Sequence, residues 1–201
     1  MPYTDTHRVV HVRRLTRYIL VALLCAAVLL LMPKLSQGIP ELFEAIRQGD
    51  CDRVRALIEI EPRAVASRSR GRTSPLHWAV EESNPTLVEM LLECGADVNC
   101  QAFDGATPLM VAAEAGDCEM VELLCVPELD LNLADRRGWT ALHFAVSAGC
   151  CDSVELLLAR GADISARTRG DDTPLSLAVR KGHRDVFLIL EEHGALDQIG
   201  R

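Results

Sequence analysis

The stretch Ser74-Pro75-Leu76-His77-Trp78-Ala79 decides how the chain is read, because its pattern returns. Thr107-Pro108-Leu109, Thr140-Ala141-Leu142-His143-Phe144-Ala145 and Thr173-Pro174-Leu175 follow it, with Leu76, Leu109, Leu142 and Leu175 spaced 33 residues apart. The same interval links Ala79, Ala112, Ala145 and Ala178, and also Leu91, Leu124, Leu157 and Leu190. Gly116, Gly149 and Gly182 keep it, with Ser83 in the corresponding place. A fixed period shared by several independent positions marks stacked copies of one supersecondary unit.

Within each unit the pattern predicts two helices. Ser74-Pro75, Thr107-Pro108 and Thr173-Pro174 place a capping hydroxyl before a first-turn proline, which starts a helix. That short helix runs to the glycine, whose left-handed conformation ends it. A second apolar-periodic helix follows, as in Met120-Val121-Glu122-Leu123-Leu124 and Val154-Glu155-Leu156-Leu157-Leu158, and ends at Gly95, Gly161 or Gly194. The next stretch, for example Ala96-Asp97-Val98-Asn99, leads into a turn before the following unit.

This pattern resembles the ankyrin repeat. The segments Leu91-Leu92-Glu93-Cys94-Gly95-Ala96-Asp97-Val98-Asn99 and Leu157-Leu158-Ala159-Arg160-Gly161-Ala162-Asp163-Ile164 complete the likeness. The resemblance implies an all-α solenoid of stacked helix-turn-helix units with projecting β-turn or hairpin tips. Its units fall at 72–104, 105–137, 138–170 and 171–201, the last including a C-terminal cap. A degenerate unit over 39–71 precedes them: Glu41-Leu42-Phe43-Glu44-Ala45-Ile46 matches a first helix and Val54-Arg55-Ala56-Leu57-Ile58 a second, offset by 34 residues. Lacking the Pro-Leu start, it reads as an N-terminal capping unit. Two departures stand out: Ala141 replaces a proline, and Val126-Pro127-Glu128 replaces a glycine turn, which predicts a differently shaped loop.

The bulk composition agrees with a helical scaffold. Of 201 residues, 49% are hydrophobic and only 4% aromatic, a balance that suits Leu- and Ala-rich helix pairs better than a β-sandwich. A formal charge of -8 argues against nucleic acid as the partner, since phosphate binding needs a basic face. The eight cysteines form no C-x-x-C pair, so neither a zinc ribbon nor a thioredoxin-like motif is expected. Cys118 and Cys151 occupy equivalent places in adjacent units, where a helix separation of about 8–10 Å exceeds the reach of a disulfide. Cys125 replaces a core leucine and is expected to be a small buried apolar residue.

Residues 1–38 differ from the rest. An arm over 1–17 carries His7, Arg8, His11, Arg13, Arg14 and Arg17, and an uncharged run from Tyr18 to Met32 follows, ended by Pro33 and Lys34. Fifteen residues make a helix of about 23 Å against a hydrocarbon core of about 30 Å. Snorkelling of Arg17 and Lys34 would lengthen its reach. The segment 18–34 is therefore expected to be a hydrophobic signal-anchor helix, with the N-terminus cytoplasmic by its arginines, giving a single-pass membrane protein. Two further readings are a signal cleaved near Gly38, which gives a secreted or periplasmic product, and a buried helix capping the stack.

No nucleophile with an oriented base appears, so no catalytic residue, cofactor, metal or small-molecule substrate is expected. His77 and His143 sit where the ankyrin resemblance implies a histidine that hydrogen-bonds loop backbone. The informative residues are at the turns: Arg68-Ser69-Arg70-Gly71-Arg72, Ala102-Phe103-Asp104-Gly105, Asp135-Arg136-Arg137-Gly138-Trp139 and Arg167-Thr168-Arg169-Gly170-Asp171-Asp172. Aligned along one edge, these would give a basic strip with Phe103 and Trp139 in it, the composition of an interface hot spot. The candidate partner-binding residues there are Arg70, Arg72, Phe103, Asp104, Arg136, Arg137, Trp139 and Arg169. Along the first helices, Glu81, Glu82 and Glu114 against Arg180 and Lys181 make a charge gradient that could orient a partner. The expected function is a membrane-anchored or exported protein-interaction scaffold whose partner presents an acidic patch. The alternative is an accessory subunit of a membrane complex acting through its N-terminal helix.

Overall fold

Why the 33-residue pattern folds as it does is visible in its caps. In a computed structural model, which describes residues 39–69 and 72–195, the Ser74 side chain accepts the His77 N–H at the start of α3 (Pro75–Glu81). Thr107 does the same for Met110 in α5 (Pro108–Ala115) and Thr173 for Ser176 in α9 (Pro174–Lys181). In α7 (Ala141–Ala148), Ala141 stands at the proline position and the helix forms regardless. Gly116, Gly149 and Gly182 close α5, α7 and α9 at φ of 70°, 76° and 75°, the left-handed conformation expected of them. Ser83 takes the same turn at φ 48°, a strained value for a side-chain-bearing residue.

The second helices are α4 (Pro85–Glu93), α6 (Cys118–Leu124), α8 (Cys151–Ala159) and α10 (Arg184–Glu192). Before α3 come a helix described over residues 39–47, here α1, then α2 (Cys51–Ile60) and a 3-10 turn (Pro62–Ala66). From Leu42 onward the described residues form one compact unit. The described residues are all helix and turn, so the tips expected as turns or hairpins are turns. Inner helices α3, α5, α7 and α9 pack in sequence, as do outer helices α2, α4, α6, α8 and α10.

The periodic residues build that packing. Leu76, Leu109, Leu142 and Leu175 are buried, as are Leu91, Leu124, Leu157 and Leu190. Each buried leucine contributes about 1.5–3 kcal/mol relative to an exposed one. Ala79, Ala112, Ala145 and Ala178 are buried as well, and their small side chains let successive inner helices approach closely. α6 stops at Leu124, two residues short of the length of α4 and α8, because the Val126-Pro127-Glu128 segment replaces the glycine turn. Cys125 packs against the core only half-buried, in the turn, and its carbonyl accepts Arg160 Nη1 at 3.2 Å. The expectation of a small apolar residue in the core's surroundings thus holds, but its burial is partial.

Lateral hydrogen bonds tie the units together beneath the turns. Asn99 Nδ2 donates to the Glu128 carbonyl at 2.7 Å while Asn99 Oδ1 accepts the Asp130 N–H at 2.8 Å. One unit on, Asn132 Oδ1 accepts the Asp163 N–H at 2.9 Å. The apolar run Tyr18–Met32, Arg70 and residues 196–201 lie outside the described residues. Among those described, no helix is long and apolar enough to cross a membrane.

Candidate functional site

Each tip is a turn closed by its own backbone: Ser69 N–H to Thr73 O, Ala102 to Ala106, Asp135 to Trp139 and Thr168 to Asp172, all at 2.8–2.9 Å. Successive tips then bond to each other. Arg136 N–H donates to Asp104 O at 2.8 Å, and Arg169 N–H to Arg137 O at 2.9 Å. Gly105 and Gly138, at φ 89° and 78°, permit this contact: a Cβ on Gly138 would lie 2.8 Å from Arg169 N. Asp171 holds the same register at φ 65°, and no further tip is described beyond it. Below the tips, Arg68 Nη1 reaches Gln101 O at 3.2 Å, and Gln101 Nε2 reaches Ala134 O at 3.1 Å. The edge is a stacked backbone surface rather than a set of independent loops.

The tip side chains divide into those bound within the fold and those facing outward. Arg137 Nε pairs with Asp135 Oδ2 at 2.9 Å, and the Asp135 side chain is only 4% exposed. Asp135 Oδ1 also accepts the N–H groups of Arg137 and Trp139. The Arg137 guanidinium lies 5.0 Å from the Trp139 ring centre. Trp139 itself is half-buried, edge-on to Phe144 at 5.2 Å, so it is partly a packing residue and not the exposed aromatic that the composition suggested. Arg167 pairs with Asp171, and Arg180 with Asp172 at 2.6 Å. The positive end expected at Arg180 is therefore largely neutralised, while Lys181 and Glu82 stay exposed at their helix ends.

Phe103, Arg136 and Arg169 share one register, 33 residues apart. Phe103 is 57% exposed, and the Arg136 guanidinium covers its ring at 4.1 Å. Together with Arg72 these residues line a recess of about 400 Å³. Among the described residues, no carboxylate comes within ion-pair distance of Arg72, Arg136 or Arg169. On the other side of Phe103, a groove of about 780 Å³ is lined by Asp104, Glu81, Glu114, Val111 and His77. Glu81 and Glu114 come from equivalent places on α3 and α5, and burial pushes the Glu81 carboxyl above its ordinary value, with the Glu82 charge adding to the effect. The structure thus brings most predicted residues to two adjoining hollows of opposite charge.

Sequence reasoning missed Asp135 and Gln101 as organisers of the edge. An aspartate two and four residues ahead of the N–H groups it captures is the one local signal for Asp135. His77 and His143 hold the base of the tips. His77 Nδ1 accepts the Ser74 N–H at 3.3 Å and Nε2 donates to Ala106 O at 3.0 Å, which assigns the ring proton to Nε2. His143 repeats this with Thr140 and Asp172 O. Burial holds both imidazoles below their usual pKa. Both are structural ties, as the resemblance implied.

The family model that matches describes ankyrin repeats in three copies, and it aligns with residues 20–102 and 76–168. Curated relatives match a shorter stretch. A probable E3 ubiquitin-protein ligase of Oryza sativa subsp. japonica, XBOS32, is 42% identical over 67 residues, 33% of this chain and 14% of that protein. The E3 ubiquitin-protein ligase XBAT32 of Arabidopsis thaliana is 34% identical over 67 residues, again 33% of this chain and 13% of that protein. Alpha-latroinsectotoxin-Lt1a of Latrodectus tredecimguttatus is 37% identical over 67 residues, 33% of this chain and 5% of that protein. The chain thus spans at most about a seventh of the length of these relatives, and the shared part is repeat sequence rather than a ligase domain.

Proposed function

The chain belongs to the ankyrin-repeat family, and from that premise we propose that it is a non-catalytic scaffold that holds another protein along its tip edge. The observation that carries this reading is the recess of Arg72, Arg136 and Arg169 around the exposed Phe103. Three guanidiniums stand there unpaired, since the recess's one carboxylate, Asp135, is taken by Arg137, and the Arg136 and Arg169 backbones are fixed by tip-to-tip bonds. A surface ordered before binding loses little conformational entropy on association. Arginine beside an exposed aromatic is also the composition that concentrates binding energy. The matching partner surface is acidic. Arg137, Arg167 and Arg180 contribute less to this role because each already has a carboxylate.

The sequence supports a membrane setting for this scaffold. An arginine-rich arm ahead of the apolar run Tyr18–Met32 orients an anchor with its N-terminus cytoplasmic, which puts the repeats across or against the far side of the membrane. Membrane fractionation with N-terminal sequencing tests this: intact residues 1–38 in membranes support the anchor, and a mature start near Ile39 in a non-membrane fraction refutes it.

Affinity capture by the full chain tests the scaffold itself. The variant Arg72→Gln/Arg136→Gln/Arg169→Gln should lose the partner retained by the native chain. A charge-matched variant, Arg53→Gln/Arg55→Gln/Arg63→Gln, alters exposed arginines away from the tips and should keep it. Equal capture by both variants sinks the reading.

A further inference from the structure

Phe103 lines both hollows, the acidic groove on one side and the arginine recess on the other. The groove has apolar lining from Phe103, Val111 and Ala102 and three acidic residues, Glu81 and Glu114 from the inner helices and Asp104 from the tip. Both glutamates are exposed, and among the described residues neither carboxylate is paired with a cation. An apolar wall beside these carboxylates suits one kind of side chain: a long aliphatic stem with a cationic head. The recess beyond Phe103 suits the opposite charge, since arginine forks bind carboxylates in pairs of hydrogen bonds. Ala102 and Phe103 line both hollows, so an extended chain passes from one to the other within a few residues.

We propose that these hollows together take an extended peptide segment of another protein that carries a lysine or arginine a few residues from an acidic side chain. The cation lodges between Glu81 and Glu114 along the Phe103 ring, and the acid meets Arg136 and Arg169. This deepens, and rests on, the scaffold reading above, but it differs in what it requires. A purely acidic partner satisfies the arginine edge and leaves the three groove carboxylates facing it, so such a partner is disfavoured. Discrimination of this kind arises from the repulsive element as much as from the attractive one.

Selection of a random peptide display library on the full chain tests the inference. Enriched peptides should pair Lys or Arg with Asp or Glu two to four positions away. A leading peptide should bind the Glu81→Gln/Glu114→Gln variant about three- to fivefold more weakly, as expected for partly exposed ion pairs. Replacing the peptide's cation should then have little further effect in that variant, because its counterpart is already gone. The Arg136→Gln/Arg169→Gln variant should show the same coupling to the peptide's acid. Enrichment of acidic peptides without a cation overturns the mixed-charge inference and leaves the scaffold standing. Absence of any enrichment, while capture still depends on the arginine edge, likewise overturns the peptide inference alone. Absence of enrichment together with arginine-independent capture overturns both.

Discussion

Replacing Gly138 by alanine probes the contact between neighbouring tips. Gly138 has φ 78°, and an added Cβ would lie 2.8 Å from Arg169 N and 3.2 Å from two backbone atoms of Thr168. Left-handed backbone costs a non-glycine residue about 1–2 kcal/mol. The clash is with main chain rather than a flexible side-chain end, so the next tip must move. That movement breaks the 2.9 Å bond from Arg169 N–H to Arg137 O, a loss of about 1 kcal/mol. The expected destabilisation is about 2–3 kcal/mol, a fall in Tm of about 5–10 °C for a fold of this size. Two internal comparisons separate the contributions. Gly161→Ala shares a positive φ, 95°, but meets open space, and should cost only the backbone part. Gly170→Ala meets only side-chain oxygens at 3.6 and 3.8 Å and should stay within about 0.5 kcal/mol. Thermal unfolding of the full chain, followed by far-ultraviolet circular dichroism, ranks the three. A Gly138→Ala variant no less stable than Gly161→Ala would refute the stacked edge.

Other outcomes follow from single interactions. His77 and His143 have pKa values depressed by burial, so the unfolded chain takes up more protons below about pH 6.5. Their stabilisation is complete above that pH and is lost as pH falls through it; Tm measured from pH 7.5 to 5.5 should fall, with a shallower slope in His77→Asn/His143→Asn, and an unchanged slope contradicts the assignment. Asn99→Ala removes two bonds to the following unit, to Glu128 O and from Asp130 N–H, and urea unfolding should report a loss of about 1–2 kcal/mol. Ser153 lies fully buried at the register of Leu87, Met120 and Val186, and the Cys118 sulfur is the one weak partner for its hydroxyl among the described residues. Ser153→Ala should therefore stabilise by about 1 kcal/mol, and a loss of stability in the same titration contradicts the weakly partnered hydroxyl.

The repeat core was legible because its determinants are local and recur. A leucine and an alanine recur at one register four times and a glycine three times, and Ser74, Thr107 and Thr173 announce helix starts within three residues. The tips were legible in position but not in charge. Arg136 and Arg137 are neighbours in sequence, yet one covers Phe103 and the other binds the sunken Asp135. Arg180 looked like the positive end of a gradient until Asp172, eight residues earlier, came within 2.6 Å. Such pairings depend on how the turn aims each side chain, which no period records. Trp139 shows the same limit, since its burial is set by Phe144 across the helix start. The acidic groove likewise emerges only when Glu81 and Glu114, one period apart, are stacked beside Phe103.

Amide hydrogen exchange of the full chain, alone and with its captured partner, addresses the binding surface most directly. Protection should appear at the tips over residues 101–106, 134–139 and 167–172 and in the inner helices Pro75–Glu81 and Pro108–Ala115. Protection confined to the outer helices Pro85–Glu93, Cys118–Leu124 and Cys151–Ala159, with the tips unchanged, would contradict the account.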